Sequence, residues 1–277
     1  MLARPWSAVV RVPTGDGDTW FKEDPPPLGF EPALTAALAR RRPDHMPEVI
    51  AADGPRLLTR DAGRRLRNVY AEAAPAPDWE EIVRLYAEIQ VGLAAAADEA
   101  LALGTPDRRL TLLPTLVAEL PGWGDAVEPL RRALDAVGDA VPLTVVHEEP
   151  TDGNIFVRDG RIRFIDWAEA CVSHPFVGAL MLLRVTNGRA GLEPGSTEVT
   201  RLRDIYLEPF TRYAPAGELR RSFAGTYLLA TAVRAHGWHA ILSPLDPAVA
   251  AGVGDVIGAW LDVFRGLADG TTRLGDA

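Results

Sequence analysis

Four side chains able to handle charge, His147, Glu149, Asn154 and Asp166, are strung along one stretch of the chain. The stretch runs Val145-Val146-His147-Glu148-Glu149-Pro150-Thr151-Asp152-Gly153-Asn154-Ile155-Phe156-Val157, then Arg161-Ile162-Arg163-Phe164-Ile165-Asp166-Trp167. Apolar residues flank each polar cluster, so the polar side chains project from strand ends and loops of a buried backbone. Burying several carboxylates together costs free energy unless a cation neutralises them. A carboxamide (Asn154) and a carboxylate (Asp166) at neighbouring loop ends suit Mg²⁺, which takes few protein oxygens and leaves room for phosphates. Glu149, five residues before Asn154, can orient an acceptor hydroxyl. Together these are the parts that phosphoryl transfer needs, with no covalent intermediate. The plainer alternative is a hairpin carrying a solvated acidic loop.

The elements that must hold these residues are read from the same stretch: strand, polar loop, strand, a turn at Asp159-Gly160, and strand again. Nearer the start, Ser7 to Val12 reads as a strand, Thr14-Gly15-Asp16-Gly17-Asp18 as a hairpin turn, and Thr19 to Glu23 as its partner. Of 29 basic residues only Lys22 is a lysine. It is a compact point charge in a chain that uses Arg everywhere else, which suits phosphate oxygens. A chance survivor of the Arg bias is the competing reading. Asp24-Pro25-Pro26-Pro27-Leu28-Gly29 is a stiff connector. It leads to a helix with Glu31 and Pro32 at its start and Leu34 and Leu38 on one face. A second hairpin turns at Gly54-Pro55.

The central stretch resembles the catalytic loop and metal-binding strand of the aminoglycoside phosphotransferase family. That family shows His-Gly-Asp-x-x-x-x-Asn followed by Ile-Asp-Trp. His147, Asn154 and Ile165-Asp166-Trp167 match, whereas Glu149 stands where the family has Asp and Thr151 where a second His is common. The resemblance implies an α+β, bilobal, protein-kinase-like fold. It would have a small, mainly antiparallel β lobe over residues 1–74 and a larger, mostly helical lobe over 75–277. It implies ATP or GTP and Mg²⁺ as cofactors and a hydroxyl on a small molecule as acceptor, an antibiotic being the leading class. Lys22 would then hold phosphates, with Glu31 either its ion-pair partner or a helix-capping carboxylate. Ser7, after Pro5-Trp6, would lie where such folds lay a loop over the phosphates. Backbone groups of Leu58, Thr59, Arg60 and Asp61 would meet the base at the hinge, Asn154 and Asp166 would hold the metal, and Glu149 would act as catalytic carboxylate. A pseudokinase that binds nucleotide without turnover, and a kinase of an amino alcohol or sugar, are the alternatives. The family usually has another strand before Ser7, and almost no chain precedes it here.

Composition narrows the classes. A net charge of −9 argues against nucleic acid as the main partner. Cys171 is the only cysteine, so no intramolecular disulfide is expected. No apolar run reaches spanning length, and Arg4-Pro5 interrupts the first residues, so neither a membrane span nor a signal peptide is expected and the protein reads as cytoplasmic. The oligomeric state has no signature. From Asp78 on, Ile82, Val83, Tyr86, Ile89 and Leu93 recur at helical spacing as core. Further helices are expected over Phe176–Val185, Thr197–Tyr213, Glu218–Leu242 and Pro247–Leu267, with a frayed tail from Gly270. His147 reads as a structural residue bonding the loop backbone, Cys171 as small buried packing, and Glu169 as either a second acid of the site or a cap.

Overall fold

The computed structural model describes residues 2–72 and 75–276. Its first lobe is built on one antiparallel sheet of β1 (Leu2–Arg4), β2 (Ser7–Thr14), β3 (Gly17–Glu23), β4 (Val49–Asp53) and β5 (Arg56–Arg60), in the order β1-β2-β3-β5-β4. β2 and β3 pair from Ala8↔Glu23 to Thr14↔Gly17, so the expected hairpin closes on a tighter turn, with Gly17 at φ 107°. Only glycine holds that conformation without cost. A strand does precede Ser7: β1 pairs Leu2↔Val9 and Arg4↔Ser7, leaving Pro5-Trp6 as the turn. Helix α1 (Glu31–Arg41) has Pro32 in its first turn and buries Leu34 and Leu38, the face its spacing predicts.

The chain leaves this sheet at Asp61 and immediately joins the second lobe. β6 (Arg64–Arg65) pairs with β8 (Ile155–Arg158), and β8 with β9 (Arg161–Phe164). In α2 (Leu66–Ala71), the Arg67 N–H donates to Asp152 O. The crossing thus lies at Asp61–Gly63, earlier than the expected boundary after residue 74. Residues 73 and 74 lie outside the described residues. The pairing of β6 with β8 sets this earlier point.

The second lobe is mostly helical, with α3 (Trp79–Leu93), α4 (Ala97–Ala102), α5 (Leu113–Ala118) and α6 (Val127–Asp135) ahead of the central stretch. β7 (Thr144–Val146) pairs antiparallel with β10 (Cys171–Ser173) and so brackets that stretch. Then come α7 (Ala179–Ala190), α8 (Thr197–Leu207), α9 (Ala216–Leu242), α10 (Pro247–Ala251) and α11 (Val256–Asp269). The expected last helix is two helices, interrupted around Gly254 at φ 84°. Ile82, Val83, Tyr86, Ile89 and Leu93 are all buried in α3, as their period predicts. The tail is docked rather than frayed. Gly275 O accepts from Asn187 Nδ2 at 2.8 Å, and Leu274 O accepts from Gly195 N–H at 2.9 Å. Polar composition alone does not reveal such partners. No helix among the described residues is long and apolar enough to cross a membrane.

Candidate active site

The two lobes meet where β3 faces the end of β9. Lys22 Nζ donates to Asp166 Oδ1 at 2.6 Å, although 144 residues separate them. The same ammonium pairs with Glu31, which is buried on α1, and stands 3.4 Å from buried Asp24. Glu31 is therefore the ion-pair partner of Lys22; helix α1 has no side-chain cap at its N-terminus. Burial opposes the charge on Lys22, but Asp166, Glu31 and Asp24 together outweigh it and raise its pKa. Burial likewise pushes the Glu31 and Asp24 carboxyls up, against the pull of Lys22.

Asp166 follows β9 with φ 66° and ψ 64°, a left-handed conformation that few non-glycine residues adopt. Such local strain persists only where surrounding structure fixes it. Here the fixing bonds are visible on either side. His147 Nε2 contacts Ile165 O at 2.9 Å, and the Ile165 N–H donates to Asn154 O at 2.9 Å. These bonds set Asp166 beside Asn154. Lys22 occupies one Asp166 oxygen, leaving the second, while Asn154 Nδ2 donates to Glu149 O at 3.1 Å, which turns its amide oxygen away. One carboxylate oxygen and one amide oxygen form a hard donor set that fits Mg²⁺. Among the described residues no cluster of three or more His, Cys, Asp or Glu is arranged to hold a metal. A metal here would draw its remaining ligands from phosphates and water.

The loop between β7 and β8 is pinned from below. Tyr86 is fully buried on α3; its hydroxyl donates to His147 O at 2.9 Å and accepts from the His147 N–H at 3.2 Å. His147 Nδ1 accepts the Glu149 N–H at 3.2 Å, and its ring lies against Trp167. Burial lowers the His147 pKa, consistent with a neutral structural imidazole. Glu148 points away and makes a buried pair with Arg108 at 2.6 Å. Asp152 is held by Arg67 at 3.1 Å and Arg189 at 2.5 Å. Both of these acids are tied up in close ion pairs, whereas the nearest cation to Glu149, Arg234, stands 4.0 Å away.

Glu149 sits beside Glu169 under Arg234 of α9. Arg234 donates to Glu169 Oε2 at 2.6 Å and to Glu148 O at 3.3 Å, and its Nη2 is 4.0 Å from Glu149 Oε1. Burial and the Glu169 charge push the Glu149 carboxyl up to about 9, while Arg234 pulls it down. Glu169 is thus a second acid of the site rather than a cap. Four residues after Arg234, Trp238 meets Trp6 of the β1–β2 turn edge-on, with centroids 5.6 Å apart. Ser7 opens β2 beside that turn, and strand alternation sets it on the Lys22 face.

The expected hinge residues lie on and just after the inner strand β5. Leu58 and Thr59 lie within the ladders that join β5 to β3 and β4. The Arg60 N–H donates to Glu48 O, and the Asp61 N–H to Asp18 O. Their backbone donors already serve the fold, because β5 is an inner strand.

The family described as "Phosphotransferase enzyme family" has a model that matches residues 2–215, more than half of the chain. The chain belongs to the phosphotransferase enzyme family. It is a small-molecule kinase of that family, with the bilobal α+β fold its motifs predict. No curated relative matches it in sequence. Among solved structures, an amicoumacin kinase, hAmiN, in complex with AMP-PNP, Ca²⁺ and Ami, superposes with a TM-score of 0.63 at 10% identity. That match covers 100% of this chain and 89% of the other. APH(2")-IIia in its GDP and kanamycin complex gives 0.59 at 14% identity, covering 95% and 93%. The Plasmodium vivax ethanolamine kinase gives 0.59 at 11%, covering 94% and 81%. At these identities the likeness is one of fold.

Several residues of this phosphotransferase site carry no local signature. Arg108 and Arg234 are two of many arginines, and only the fold brings them to Glu148 and Glu169. Asp24 reads as part of a connector. Tyr86 reads as core, which it is, but its hydroxyl also anchors the loop.

Proposed function

We propose that this phosphotransferase moves the γ-phosphoryl group of Mg²⁺-bound ATP or GTP to a hydroxyl of a small molecule. The leading acceptor class is an antibiotic, whose modification would give resistance. The observation that carries this reading is the meeting of Lys22 from β3 with Asp166 from the end of β9, beside Asn154 and Glu149. Lys22 holds phosphate oxygens, Glu31 and Asp24 fix its ammonium, and Ser7 lies at the turn above. Asn154 and Asp166 hold the ion. When bound, Mg²⁺ neutralises charge on the phosphates. Glu149 orients the acceptor hydroxyl, since in a loose transition state positioning counts for more than early proton removal.

The Glu at the usual Asp position, lying against Glu169 and Arg234, favours a second reading as a nucleotide-binding module without turnover. An ADP- and GDP-release assay separates the two. Aminoglycosides, nucleoside antibiotics, macrolides and amino alcohols are offered in turn with Mg²⁺. Release stimulated by one class identifies the acceptor; tight nucleotide binding with no stimulated release favours the second reading.

A further inference from the structure

Beyond Glu149 the second lobe gathers two guanidiniums on one indole. Trp260 of α11 is buried, with Arg234 Cζ 5.8 Å and Arg184 Cζ, from α7, 5.1 Å from its ring centroid. Arg234 is the residue that holds Glu169 and approaches Glu149. Arg184 thus stands one indole away from the arginine that faces the acceptor carboxylate. One turn further along α9, Trp238 is met by Trp6 of the first lobe. An acceptor whose hydroxyl lies at Glu149 therefore has the β1–β2 turn at one end and the Trp260 cluster at the other.

The two guanidiniums differ in what neutralises them. Arg234 is paired with Glu169, as Arg108 is with Glu148 and as Arg189, on the same helix as Arg184, is with Asp152. Arg184 is half-buried, yet among the described residues no ion pair or hydrogen bond engages its nitrogens. Burial lowers its pKa and the Arg234 charge adds to the fall, against the pull of Tyr227 and Asp276. Asp276 is itself engaged by the Arg273 N–H, and the Tyr227 hydroxyl by the Gly275 N–H at 3.3 Å. Arg234 also keeps one buried donor, Nε, without a partner among the described residues. Stacking on Trp260 uses the face of the Arg184 guanidinium and leaves its in-plane N–H fork unspent. That fork matches the two oxygens of a carboxylate or phosphate. A charge withdrawn from water without a counter-charge is costly. An anion would supply that counter-charge, whereas a polycation would add a further positive charge beside Arg184 and Arg234.

We propose that Arg184, stacked on Trp260 beside Arg234, is an acceptor subsite for an oxyanion, so that the acceptor carries a carboxylate or phosphate group away from the hydroxyl that is phosphorylated. Trp260 fixes the plane of the fork, and the anion takes its N–H donors. The acceptor class narrows accordingly, away from polyamines such as the aminoglycosides and toward hydroxyl compounds that bear an acid. This inference rests on the phosphotransferase reading, in which Glu149 orients the acceptor hydroxyl.

The test is calorimetric titration of the full chain with benzoate, phenyl phosphate and the neutral benzamide, after saturation with Mg-AMP-PNP so that the phosphate site around Lys22 is filled. Wild type, Arg184→Gln and Arg184→Lys are compared, and circular dichroism checks that each variant is folded. At least one of the two anions should bind wild type about tenfold or more tightly than benzamide does. Which anion it is shows whether the acceptor's group is a carboxylate or a phosphate. Arg184→Gln should weaken that anion by roughly ten- to a hundredfold, the size of a hydrogen bond to a charged group, and Arg184→Lys should retain part of the affinity. Wild type that binds neither anion, or binds both no better than benzamide, overturns the proposal without needing any variant to fold. A folded Arg184→Gln that binds the anion as wild type does also overturns it. Each of these results leaves the phosphotransferase reading standing, because Mg-AMP-PNP is still bound. Wild type that binds no Mg-AMP-PNP overturns that reading, and this proposal with it.

Discussion

Lys22 Nζ and Asp166 Oδ1 lie 2.6 Å apart across the junction of the two lobes. This single contact joins strand β3 of the first lobe to the end of strand β9 of the second. It also draws buried Asp24 and Glu31 into one charge cluster around a single ammonium. Removing Lys22 therefore affects both chemistry and stability.

Lys22→Ala should abolish most nucleotide-dependent turnover and should also lower the melting temperature, because Asp24 and Glu31 lose their counter-charge. Breaking a buried pair costs about 3–5 kcal/mol. The loss has a definite pH dependence. Burial raises both carboxyls in the folded protein, and removing Lys22 raises them further. The variant's folded state thus binds more protons than its unfolded state, so its stability falls as pH rises above the ordinary carboxylate range near 4. Melting curves at pH 5 and pH 8 check this: the gap from wild type should be wider at pH 8.

Glu149→Gln keeps the shape of the side chain but removes its ability to exchange a proton and to accept as a carboxylate. Turnover should fall by roughly a hundredfold or more, with little change in nucleotide affinity. Glu149→Asp should retain much more activity than the Gln variant. Steady-state kinetics with the acceptor found in the release assay decide it. If the Gln variant is as active as wild type, Glu149 is not the orienting carboxylate.

Tyr86→Phe tests whether the anchor below the loop matters to function. One hydroxyl serves both the N–H and the C=O of His147. Its loss strands two buried backbone groups at a cost of about 1–3 kcal/mol each. The melting temperature should drop, and kcat should fall more than the KM for nucleotide rises. Unchanged kcat in a folded variant would reduce Tyr86 to a packing residue.

Much of this site is legible in the chain itself. His147, Asn154 and Asp166 stand at fixed spacing at the ends of short apolar strands, and Lys22 is singular in composition. Their meeting needs only the fold that those motifs imply. Arg234 is different: it lies on a helix with no motif, and its bond to Glu169 spans 65 residues of sequence. The lobe crossing was obscured because β6 is only two residues long, Arg64–Arg65, and shows no apolar alternation. The engagement of the Leu58 to Asp61 backbone donors is not legible locally, because inner-strand pairing of β5 is a property of the whole sheet.

Cys171 provides a check on the packing of β10 against β7. It is fully buried, and burial together with nearby Glu148 pushes its thiol well above the usual range, against the pull of Arg108. A disulfide reagent at pH 8 should leave the folded protein unlabelled and should titrate one thiol after unfolding. Rapid labelling of the native protein would contradict the described burial.

The most direct measurement compares wild type with Asp166→Asn in one Mg²⁺-dependent phosphoryl-release assay, using the stimulating acceptor. A neutral amide cannot replace the carboxylate that pairs with Lys22 and would hold the ion, and several kcal/mol of transition-state stabilisation are at stake. The expected result is acceptor-stimulated release by wild type and a rate at least roughly a hundredfold lower in the variant. An Asp166→Asn protein that turns over at the wild-type rate would contradict the assignment of this junction as the phosphoryl-transfer centre.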